Sequence, residues 1–492
     1  MTQTTATTSA PATEHPWRAL FALCIGFFML LVDMTIVTVA TPDIMSELGA
    51  SANAVLWVTS AYMLTYAIPV LIMGRLGDRI GPKWVYLAGL AVFTASSLWC
   101  GLAHNIESLV AARAVQGLGA AMMTPQTMAT ITRIFPADRR GSAMALWGAT
   151  AGMATLVGPL AGGLLVAAGG WEWIFFVNVP IGIIAIVLNW WLVPVLETHQ
   201  HTFDWLGVAL SGLGMFCVVF GLQNGEKRGW DTLTWLLVAG GIAIMALFVW
   251  WQSRNRNEPL VPLQIFADRN FSVSSLAISC MGFAAVAMGF PLMLYAQLVR
   301  GYTALEASML MVPMALVSFV AAPFVGRLTD RMHPRLLAGM GFFLCSVSLF
   351  WLTRPMTVDS AIWTLIAPVA VFGLGSAAVW SPLAATATRN LPMRQAGAGA
   401  GVYNATRLVG SVIGSAAVAV LIDLHLNAHG LGGALAGGHE TAAGSAIPAA
   451  VASKFAGAMS DVMLLPAAAL AVGFVAALFF TTPRHLAKRS DG

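Results

Sequence analysis

The sequence predicts an all-α integral membrane protein with 14 transmembrane helices, arranged as two six-helix bundles (pseudo-repeats) with two inserted helices between them. The composition, the number of long apolar runs and an internal repeat predict this fold. Of the 492 residues, 58% are apolar and only 9% are charged, whereas about 25% are charged in an ordinary soluble domain. So few charges cannot cover a water-soluble surface, and most of the chain is therefore expected to lie in lipid.

The apolar runs are long enough to cross a bilayer, which takes about 20 predominantly apolar residues per helix. Charged or turn residues bound each run. The runs lie near 18–41, 53–74, 84–103, 107–128, 141–168, 172–194, 204–222, 233–252, 270–297, 303–325, 335–353, 361–385, 397–421 and 462–481. An even number of spans places both chain ends on one side of the membrane.

The basic residues indicate which side that is. If both termini are cytoplasmic, 18 of the 25 Lys and Arg residues lie on the inner side, 5 on the outer side and 2 within spans. Loops on the cytoplasmic side of a membrane carry the excess of Lys and Arg. The sequence therefore predicts a multi-pass protein of the cell (cytoplasmic) membrane, with both termini in the cytoplasm.

An internal repeat divides the chain. The segment 74–83 (GRLGDRIGPK) recurs 252 residues later as 326–335 (GRLTDRMHPR), and Gly117-Leu-Gly recurs 256 residues later as Gly373-Leu-Gly. Two independent segments with nearly one offset indicate duplicated halves, whose interface is the usual place for a transporter's cavity.

The offset is longer than one half requires. Six spans need only about 200 residues, and the excess matches 203–252, which holds two spans. The predicted organisation is a disordered cytoplasmic tail (1–16), a first bundle (17–195), the inserted pair (203–252), a second bundle (268–482) with a long extracellular loop (422–461), and a cytoplasmic tail (483–492).

Several kinds of chemistry lack their motifs in the sequence. There is no GxxxxGK[ST], GxSxG or HExxH segment, so neither ATP hydrolysis nor an intramembrane enzyme is predicted. The five cysteines all lie in apolar runs and are expected to pack there. In the 422–461 loop the spacing of His425, His429 and His439 is irregular, which favours a mobile loop over a metal site.

Several motifs occur in order along the chain. They are LVDMTIV at 31–37, the loop segment at 74–83, RAVQGLG at 113–119, GPLAGG at 158–163 and WEWIFFVNVP at 171–180. Together they resemble the signatures of the major facilitator superfamily, and within it the fourteen-span drug:proton antiporters of the multidrug and antibiotic efflux type. The resemblance covers nearly the whole chain.

Three positions depart from the family pattern. Pro82 stands where the loop signature usually has a basic residue, and Glu172 stands where many relatives have Arg. Span thirteen lacks the mid-membrane acid that some multidrug relatives carry, which weighs against divalent cationic drugs as substrates.

The resemblance implies a proton-coupled secondary active exporter (H+ antiporter). Its substrates would be small hydrophobic or amphipathic compounds such as drugs, dyes or antibiotics, moved by alternating access. No cofactor is expected, because the proton gradient drives transport. The expected partners are a hydrophobic small-molecule substrate, protons and membrane lipids, without nucleic acid, and the protein is expected to be a monomer. Two alternatives remain, an exporter or flippase of lipids or lipid-like molecules and a non-transporting sensor or scaffold.

Charged side chains within spans are costly in lipid and therefore mark functional sites. Asp33 in span one and Arg113 in span four lie at similar depth in helices that the family fold makes neighbours, so they are the predicted proton-coupling pair. A static ion pair is the alternative. Gln116 follows Arg113 on the same helix face and can bind the same site or simply pack there.

Two further sets of residues are assigned from the motifs. A cytoplasmic gate between the halves is predicted from the repeated loop, namely Gly74, Asp78, Arg79, Gly81, Lys83, Asp330 and Arg331. An antiporter hinge is predicted from the small residues of span five, namely Gly148, Gly152, Gly158, Pro159, Gly162 and Gly163. The alternatives are basic residues that only set topology and ordinary close packing of membrane helices.

The central cavity is expected to be lined by aromatic, Met and polar side chains, whose adaptable packing suits varied ligands. The candidates are Tyr62, Tyr66, Gln116, Met122, Met123, Phe290, Met293, Tyr295, Gln297, Asn404 and Arg407. For each of these the alternative is a position facing lipid or the helix core.

Overall fold

The computed structural model describes residues 15–50, 52–198, 204–225, 228–255, 259–428 and 449–482, and the regular structure in these ranges is helical. The first eight helices are α1 (Pro16–Glu47), α2 (Ala52–Ala67), α3 (Val70–Ile80), α4 (Pro82–Gly101), α5 (Ile106–Ile134), α6 (Arg140–Gly169), α7 (Trp173–Phe176) and α8 (Asn178–Leu192). Two helices follow, α9 (Trp205–Gly225) and α10 (Thr232–Arg254). The last eight are α11 (Arg269–Leu294), α12 (Ala304–Met309), α13 (Val312–Thr329), α14 (Pro334–Thr353), α15 (Ile362–Arg389), α16 (Ala396–Ala428), α17 (Ala449–Val462) and α18 (Leu464–Ala477).

The chain is a multi-pass membrane protein. Within the described ranges, 12 helices are long and apolar enough to cross a bilayer, or 13 if α2 and α3 form one span bent by 45°. α5 is not among them although it has 29 residues, because its three charged residues, two Gln and four Thr make it less apolar than the other long helices. The predicted count of fourteen is therefore only partly supported.

The bend between α2 and α3 falls at Pro69, which follows the end of α2 by two residues. Proline lacks the backbone N–H that would continue the helical hydrogen bonds and its ring displaces the preceding turn, so a kink here is expected. α3 ends at Gly81, whose φ of +105° lies in a region that L side chains rarely adopt. The chain then turns directly into α4.

The last predicted span has different boundaries in the structure. The sequence predicts it at 462–481, but helix already begins with α17 and the candidate span is Val451–Ala477. Lys454 and Asp461 interrupt the apolar pattern and thereby shift the predicted boundary, whereas in the structure the side chain of Lys454 is exposed at the side of the helix.

The predicted long loop is shorter than expected, because α16 continues to Ala428 and contains His425. The remaining 429–448, with His429 and His439, lie outside the described residues, as do the tails 1–14 and 483–492. The predicted tail 1–16 also ends slightly too late, since α1 begins at Pro16.

The helices pack in two groups. α1, α2, α4, α5, α6 and α8 pack against one another, and so do α11, α13, α14, α15, α16 and α18. α9 and α10 pack on each other, and α9 touches α2 and α16, one helix from each group. The division into two bundles and an inserted pair stays a prediction, and these contacts are consistent with it.

The two groups meet along related helices. α3 and α5 pack against α16 on one side, and α6 packs against α13 and α15 on the other. At the first contact the backbones come very close, since a Cβ on Gly74 would lie 2.5 Å from the carbonyl oxygen of Gly397. Glycine is therefore required there by the approach of two helices rather than by its backbone angles.

Candidate functional site

Asp33 lies in the interior of the first helix group, with none of its surface exposed. Its Oδ2 accepts a hydrogen bond of 2.5 Å from Nη1 of Arg113. Its Oδ1 accepts two more, from Nε2 of Gln116 at 2.9 Å and from Nδ2 of Asn178 at 2.8 Å. Three donors on one carboxylate suit its ionised form, which only accepts hydrogen bonds.

Three helices build this site, which we call the Asp33 site (Asp33, Arg113, Gln116 and Asn178). Asp33 comes from the middle of α1, Arg113 and Gln116 share one face of α5, and Asn178 is the first residue of α8. Arg113 also donates to Oε1 of Gln116 at 2.6 Å, so the two α5 side chains bind each other as well as the acid. The structure thus brings the predicted proton-coupling pair into direct contact.

The surroundings of Arg113 complete the site. Its Nε donates to the carbonyl oxygen of Val58 at 3.2 Å, and its guanidinium lies 4.2 Å from the ring centre of Tyr62. Nη2 of Arg113 is buried without a hydrogen-bond partner. Since an unpartnered buried N–H is unfavourable, the site is not fully satisfied in this conformation.

A second group of buried charged side chains joins the two helix groups. Asp78, near the end of α3, forms an ion pair with Arg133 near the end of α5. The same carboxylate accepts hydrogen bonds from the backbone N–H groups of Gly397 at 2.9 Å and Ala398 at 2.8 Å. These two residues begin α16, where N–H groups lack partners within the helix and carry partial positive charge. We call this set the first latch.

The repeat builds the same arrangement a second time. Oδ1 of Asp330 lies 2.8 Å from Nη2 of Arg389. The Asp330 carboxylate accepts the backbone N–H groups of Gly141 at 2.7 Å and Ser142 at 3.0 Å. Gly141 and Ser142 begin α6, so this second latch joins the second group to the first. Each latch therefore uses an acid of one group to cap a helix of the other.

Further contacts support the second latch. Nη1 of Arg140 donates to the carbonyl oxygen of Thr388 at 3.0 Å. The hydroxyl of Ser381 donates to the carbonyl oxygen of Gly141 at 3.0 Å. Both latches lie at the end where the chain begins, because the ring of Trp17 at the start of α1 is 5.1 Å from that of Phe135, just beyond α5. At this end the two groups are closed against each other.

The basic residues of the loop motif have other positions. The side chains of Arg79 and Arg331 are exposed, and Nζ of Lys83 donates to the carbonyl oxygen of Trp190 at 2.7 Å within the first group. The arginines that bind the latch acids are Arg133 and Arg389. The sequence assigns both the acids and the cations of the loop to the predicted gate. In the structure the acids Asp78 and Asp330 join the two groups, and the arginines paired with them lie at the ends of α5 and α15.

The predicted hinge residues of α6 face three directions. A Cβ on Gly158 or Gly162 would collide with Thr35 or Ile36 of α1, so these two glycines allow α1 and α6 to touch next to Asp33. Gly148 faces Trp380 and Gly152 faces Ser318 in the second group, whereas nothing lies within 4 Å of Gly163. Pro159 lies inside a helix that is continuous from Arg140 to Gly169.

Part of the predicted cavity set meets at the interface between the groups. The hydroxyl of Tyr66 lies 3.0 Å from Oγ1 of Thr124 and accepts a hydrogen bond of 3.2 Å from Nη2 of Arg407. Nδ2 of Asn404 approaches the sulfur of Met128 at 3.8 Å. Tyr66 and Met128 belong to the first group and Asn404 and Arg407 to the second, so these side chains lie between the halves.

Other members of that set lie elsewhere. Phe290 of α11 is 55% exposed and is therefore not buried between the helices of the interface. Met122 and Met123 lie next to Gly89 of α4, inside the first group. The hydroxyl of Tyr295 donates to the carbonyl oxygen of Thr357 at 2.6 Å, while Met293 and Gln297 are partly buried. Tyr62 and Gln116 contact Arg113 at the Asp33 site.

Three important residues carry no assigned role in the sequence analysis. Asn178 stands in the WEWIFFVNVP motif, but nothing in the sequence indicates that it reaches Asp33. The repeat in the sequence does point to Arg133 and Arg389, because they lie 256 residues apart, as Gly117 and Gly373 do. Among the residues that the structure describes, no three His, Cys, Asp or Glu side chains are grouped so that they could hold a metal ion.

Comparisons with known proteins agree with this architecture. Residues 23–415 match the Major Facilitator Superfamily. The chain is 50% identical to an uncharacterized MFS-type transporter of Mycobacterium tuberculosis (strain ATCC 25618 / H37Rv), over 95% of this chain and 81% of the relative. It is 32% identical to the tetracenomycin C resistance and export protein of Streptomyces glaucescens, over 83% of this chain and 76% of the relative. The fold is similar to that of the human organic anion transporter TETRAN, with a TM-score of 0.64, 12% identity and coverage of 92% of this chain and 99% of the other.

Proposed function

Because this chain belongs to the Major Facilitator Superfamily, we propose that it is a proton-coupled exporter of small hydrophobic or amphipathic compounds, working by alternating access. Several relatives are named for drug resistance or export, among them the tetracenomycin C protein and the methylenomycin A resistance protein of Streptomyces coelicolor. The proposal places the chain in the bacterial plasma membrane, as a monomer with cytoplasmic termini that needs no cofactor beyond the proton gradient.

The observation that carries the proposal is the Asp33 site. A completely buried carboxylate in the first span is bound by an arginine and two amides from two other helices. Maintaining an ionised pair within a membrane is costly. A site used only for packing could be built more simply from apolar side chains, so we assign the acid to proton binding.

The proposed cycle follows from the contacts of Asp33. Protonation from outside neutralises the carboxylate, which weakens its hydrogen bonds to Arg113, Gln116 and Asn178. Since these residues belong to α5 and α8, their release allows α1 to move against both helices. Loss of the proton to the cytoplasm restores the three hydrogen bonds and accompanies the uptake of substrate for export.

The latches serve as the inner gate in this proposal. Both are closed here, which we interpret as the conformation sealed towards the cytoplasm. Opening inward then requires Asp78 and Asp330 to leave the N-termini of α16 and α6. A coupling between the Asp33 site and the latches runs along α5, which holds Arg113 near one end and Arg133 at the other.

Transport into everted vesicles tests the proposal, because their cytoplasmic face is outward and an exporter moves its substrate into the lumen. The vesicles are mixed with a panel of dyes, antibiotics and fluorescent lipids, and accumulation in the lumen is measured with and without an imposed pH gradient, acidic inside. We expect gradient-dependent movement of at least one dye or antibiotic by the wild type, and its loss in Asp33→Asn. Asp359→Asn is the matched control, since Asp359 is exposed in a loop between helices.

Three outcomes would contradict the proposal. Full gradient-driven export by a normally inserted Asp33→Asn protein would remove the proton-coupling role. Movement of the fluorescent lipids alone would favour lipid export instead. A wild type that moves none of the compounds would contradict an exporter of this class.

A further inference from the structure

Arg407 occupies an unusual position at the interface between the helix groups. It lies 11 residues after the start of α16, roughly 17 Å along the helix axis and so near the middle of a bilayer about 30 Å thick. Its guanidinium is partly buried. Its Nη2 donates to the hydroxyl of Tyr66 on the opposite group at 3.2 Å, which leaves Nε and Nη1 available to another acceptor.

Three buried arginines of the described chain form ion pairs with carboxylates, and a fourth, Arg140, donates to the carbonyl oxygens of Phe135 and Thr388. Arg407 forms no such ion pair with a described side chain. Arg113 binds Asp33, Arg133 binds Asp78 and Arg389 binds Asp330. These three acids are also the buried carboxylates among the described side chains. All three are already paired, so no buried carboxylate among the described side chains neutralises Arg407, and the interface carries an uncompensated positive charge at mid-membrane depth.

Two polar atoms on the same helix face lack hydrogen-bond partners. Tyr403 and Asn404 precede Arg407 by four and three residues, a spacing that places all three on one side of a helix. The hydroxyl of Tyr403 and Oδ1 of Asn404 are both buried without a hydrogen-bond partner. Since a buried polar group without a partner is unfavourable, this face lacks a component that a ligand can supply.

We propose that Arg407 and the hydroxyl of Tyr403 bind an anionic group of the exported compound, a carboxylate, sulfonate or phenolate attached to an apolar body. Tyr66 holds the guanidinium of Arg407, and Oδ1 of Asn404 accepts from a donor elsewhere on the compound. This Arg407 site rests on the proposed export function and specifies its substrate class. The free N–H groups of Arg407 match two oxygens of a carboxylate or sulfonate, or the one oxygen of a phenolate, and the Tyr403 hydroxyl adds a donor.

The same charges disfavour cationic substrates. An organic cation at this interface would meet Arg407, while the Asp33 carboxylate is fully buried behind Arg113 and unavailable to it. Like charges brought together in a low-dielectric cavity repel strongly, and such repulsion is a common source of selectivity. Met128, in contact with Asn404, offers an adaptable surface for the apolar body.

Matched probes test the inference in proteoliposomes that contain the purified full chain. Anilinonaphthalene sulfonate and phenylnaphthylamine share an aromatic skeleton, and only the first carries a negative charge, while ethidium serves as the cation. We expect the wild type to export the sulfonate in preference to ethidium. In Arg407→Gln the ratio of sulfonate to phenylnaphthylamine export falls roughly tenfold or more, the size of effect expected for a lost hydrogen bond to a charged group.

Two further variants separate binding from folding. Arg407→Lys keeps the charge and is expected to retain much of the sulfonate preference, while Arg354→Gln removes an exposed arginine outside the interface and should leave the ratio unchanged. Gel filtration of each purified variant checks that it is folded. A parallel fall of sulfonate and phenylnaphthylamine export in folded Arg407→Gln would overturn the inference and show a structural role.

Measurements on the wild type distinguish a failure of the anion site from a failure of the proposed export function. Export of ethidium or phenylnaphthylamine without export of the sulfonate would overturn the anion site and leave the exporter in place. If none of the three probes moves under an imposed pH gradient, both the exporter and its anion site are overturned.

Discussion

The latches occur twice in this molecule, and the Asp33 site occurs once. Asp78 with Arg133 and Asp330 with Arg389 repeat the same contacts in the two halves. At the offset of 256 residues that relates Gly117 to Gly373, Arg113 and Gln116 correspond to Val369 and Phe372, which are both buried and apolar. α15, the helix of the second half that corresponds to α5, thus carries a latch arginine, Arg389. At the positions of the Asp33 site, where α5 has charged and polar side chains, α15 has apolar ones.

This difference separates two tasks. Closing one end of a two-part molecule is a symmetric task, and each half supplies an acid that caps a helix of the other. Binding a proton needs only one site, and the second half shows that the same helix packing is possible without it. The Asp33 site is therefore not required by the fold, which strengthens its assignment to function.

The largest expected effect tests how much the unrepeated site depends on its ion pair. Arg113→Met leaves the Asp33 carboxylate buried without its cation, which is expected to destabilise the fold by about 3–5 kcal/mol. Asp33→Asn combined with Arg113→Met removes both charges and should recover much of that loss, because Val369 and Phe372 fill the related positions in the second half. Melting temperatures in detergent measure both. Equal melting temperatures for the single and the double variant would show that the pair is not coupled.

The next prediction tests whether the two latches are equivalent. Asp78→Ala and Asp330→Ala each remove an ion pair and two hydrogen bonds to a helix N-terminus, so each should increase the population open at this end by roughly tenfold or more. Spin labels on the exposed residues Ile80 and Met393, in a chain whose five cysteines are replaced by alanine, report the opening as a longer distance. Arg331→Gln removes an exposed charge and should change nothing. If the distance between the labels increases in only one of the two alanine variants, the two latches are not equivalent.

The smallest effect concerns the residue that completes the Asp33 site. Asn178→Ala removes one of three donors to the carboxylate, worth about 1–3 kcal/mol. Since α8 then no longer binds the carboxylate, the initial rate of gradient-driven export into everted vesicles should fall several-fold. Asn189→Ala is the matched control, since Asn189 lies in the same helix and binds the carbonyl oxygens of Ala22 and Ala185. An equal fall in both variants would mean that Asn178 acts only through the packing of α8.

Much of this architecture could be predicted from the sequence, because lipid imposes a strong pattern on it. Long apolar runs predict the spans, and an isolated Asp and Arg at matching depth predict the contact between Asp33 and Arg113. The repeated loop predicts where the halves meet. Motif positions alone do not reveal which side chains bind the latch acids, since Arg79 and Arg133 are equally basic and only the geometry selects the second.

Other features depend on packing that leaves no local pattern. Asn178 binds Asp33 because α8 begins beside α1, a contact between residues 145 positions apart in the chain. Phe290 has the residue type expected in a cavity, but more than half of its surface is exposed, which its type does not reveal. The boundary of the last span is misplaced because Lys454 and Asp461 are carried on the sides of a helix that continues past them.

The unneutralised charge of Arg407 has an electrical consequence. If it selects a monovalent anion, export of that anion in exchange for a proton moves the equivalent of two positive charges inward, whereas a neutral compound exchanged for one proton moves a single charge. Each elementary charge that crosses a potential of 100 mV changes the free energy by about 2.3 kcal/mol. The resting voltage of the cell would then drive export of an anion twice as strongly as export of a neutral compound, even when the pH is equal on both sides.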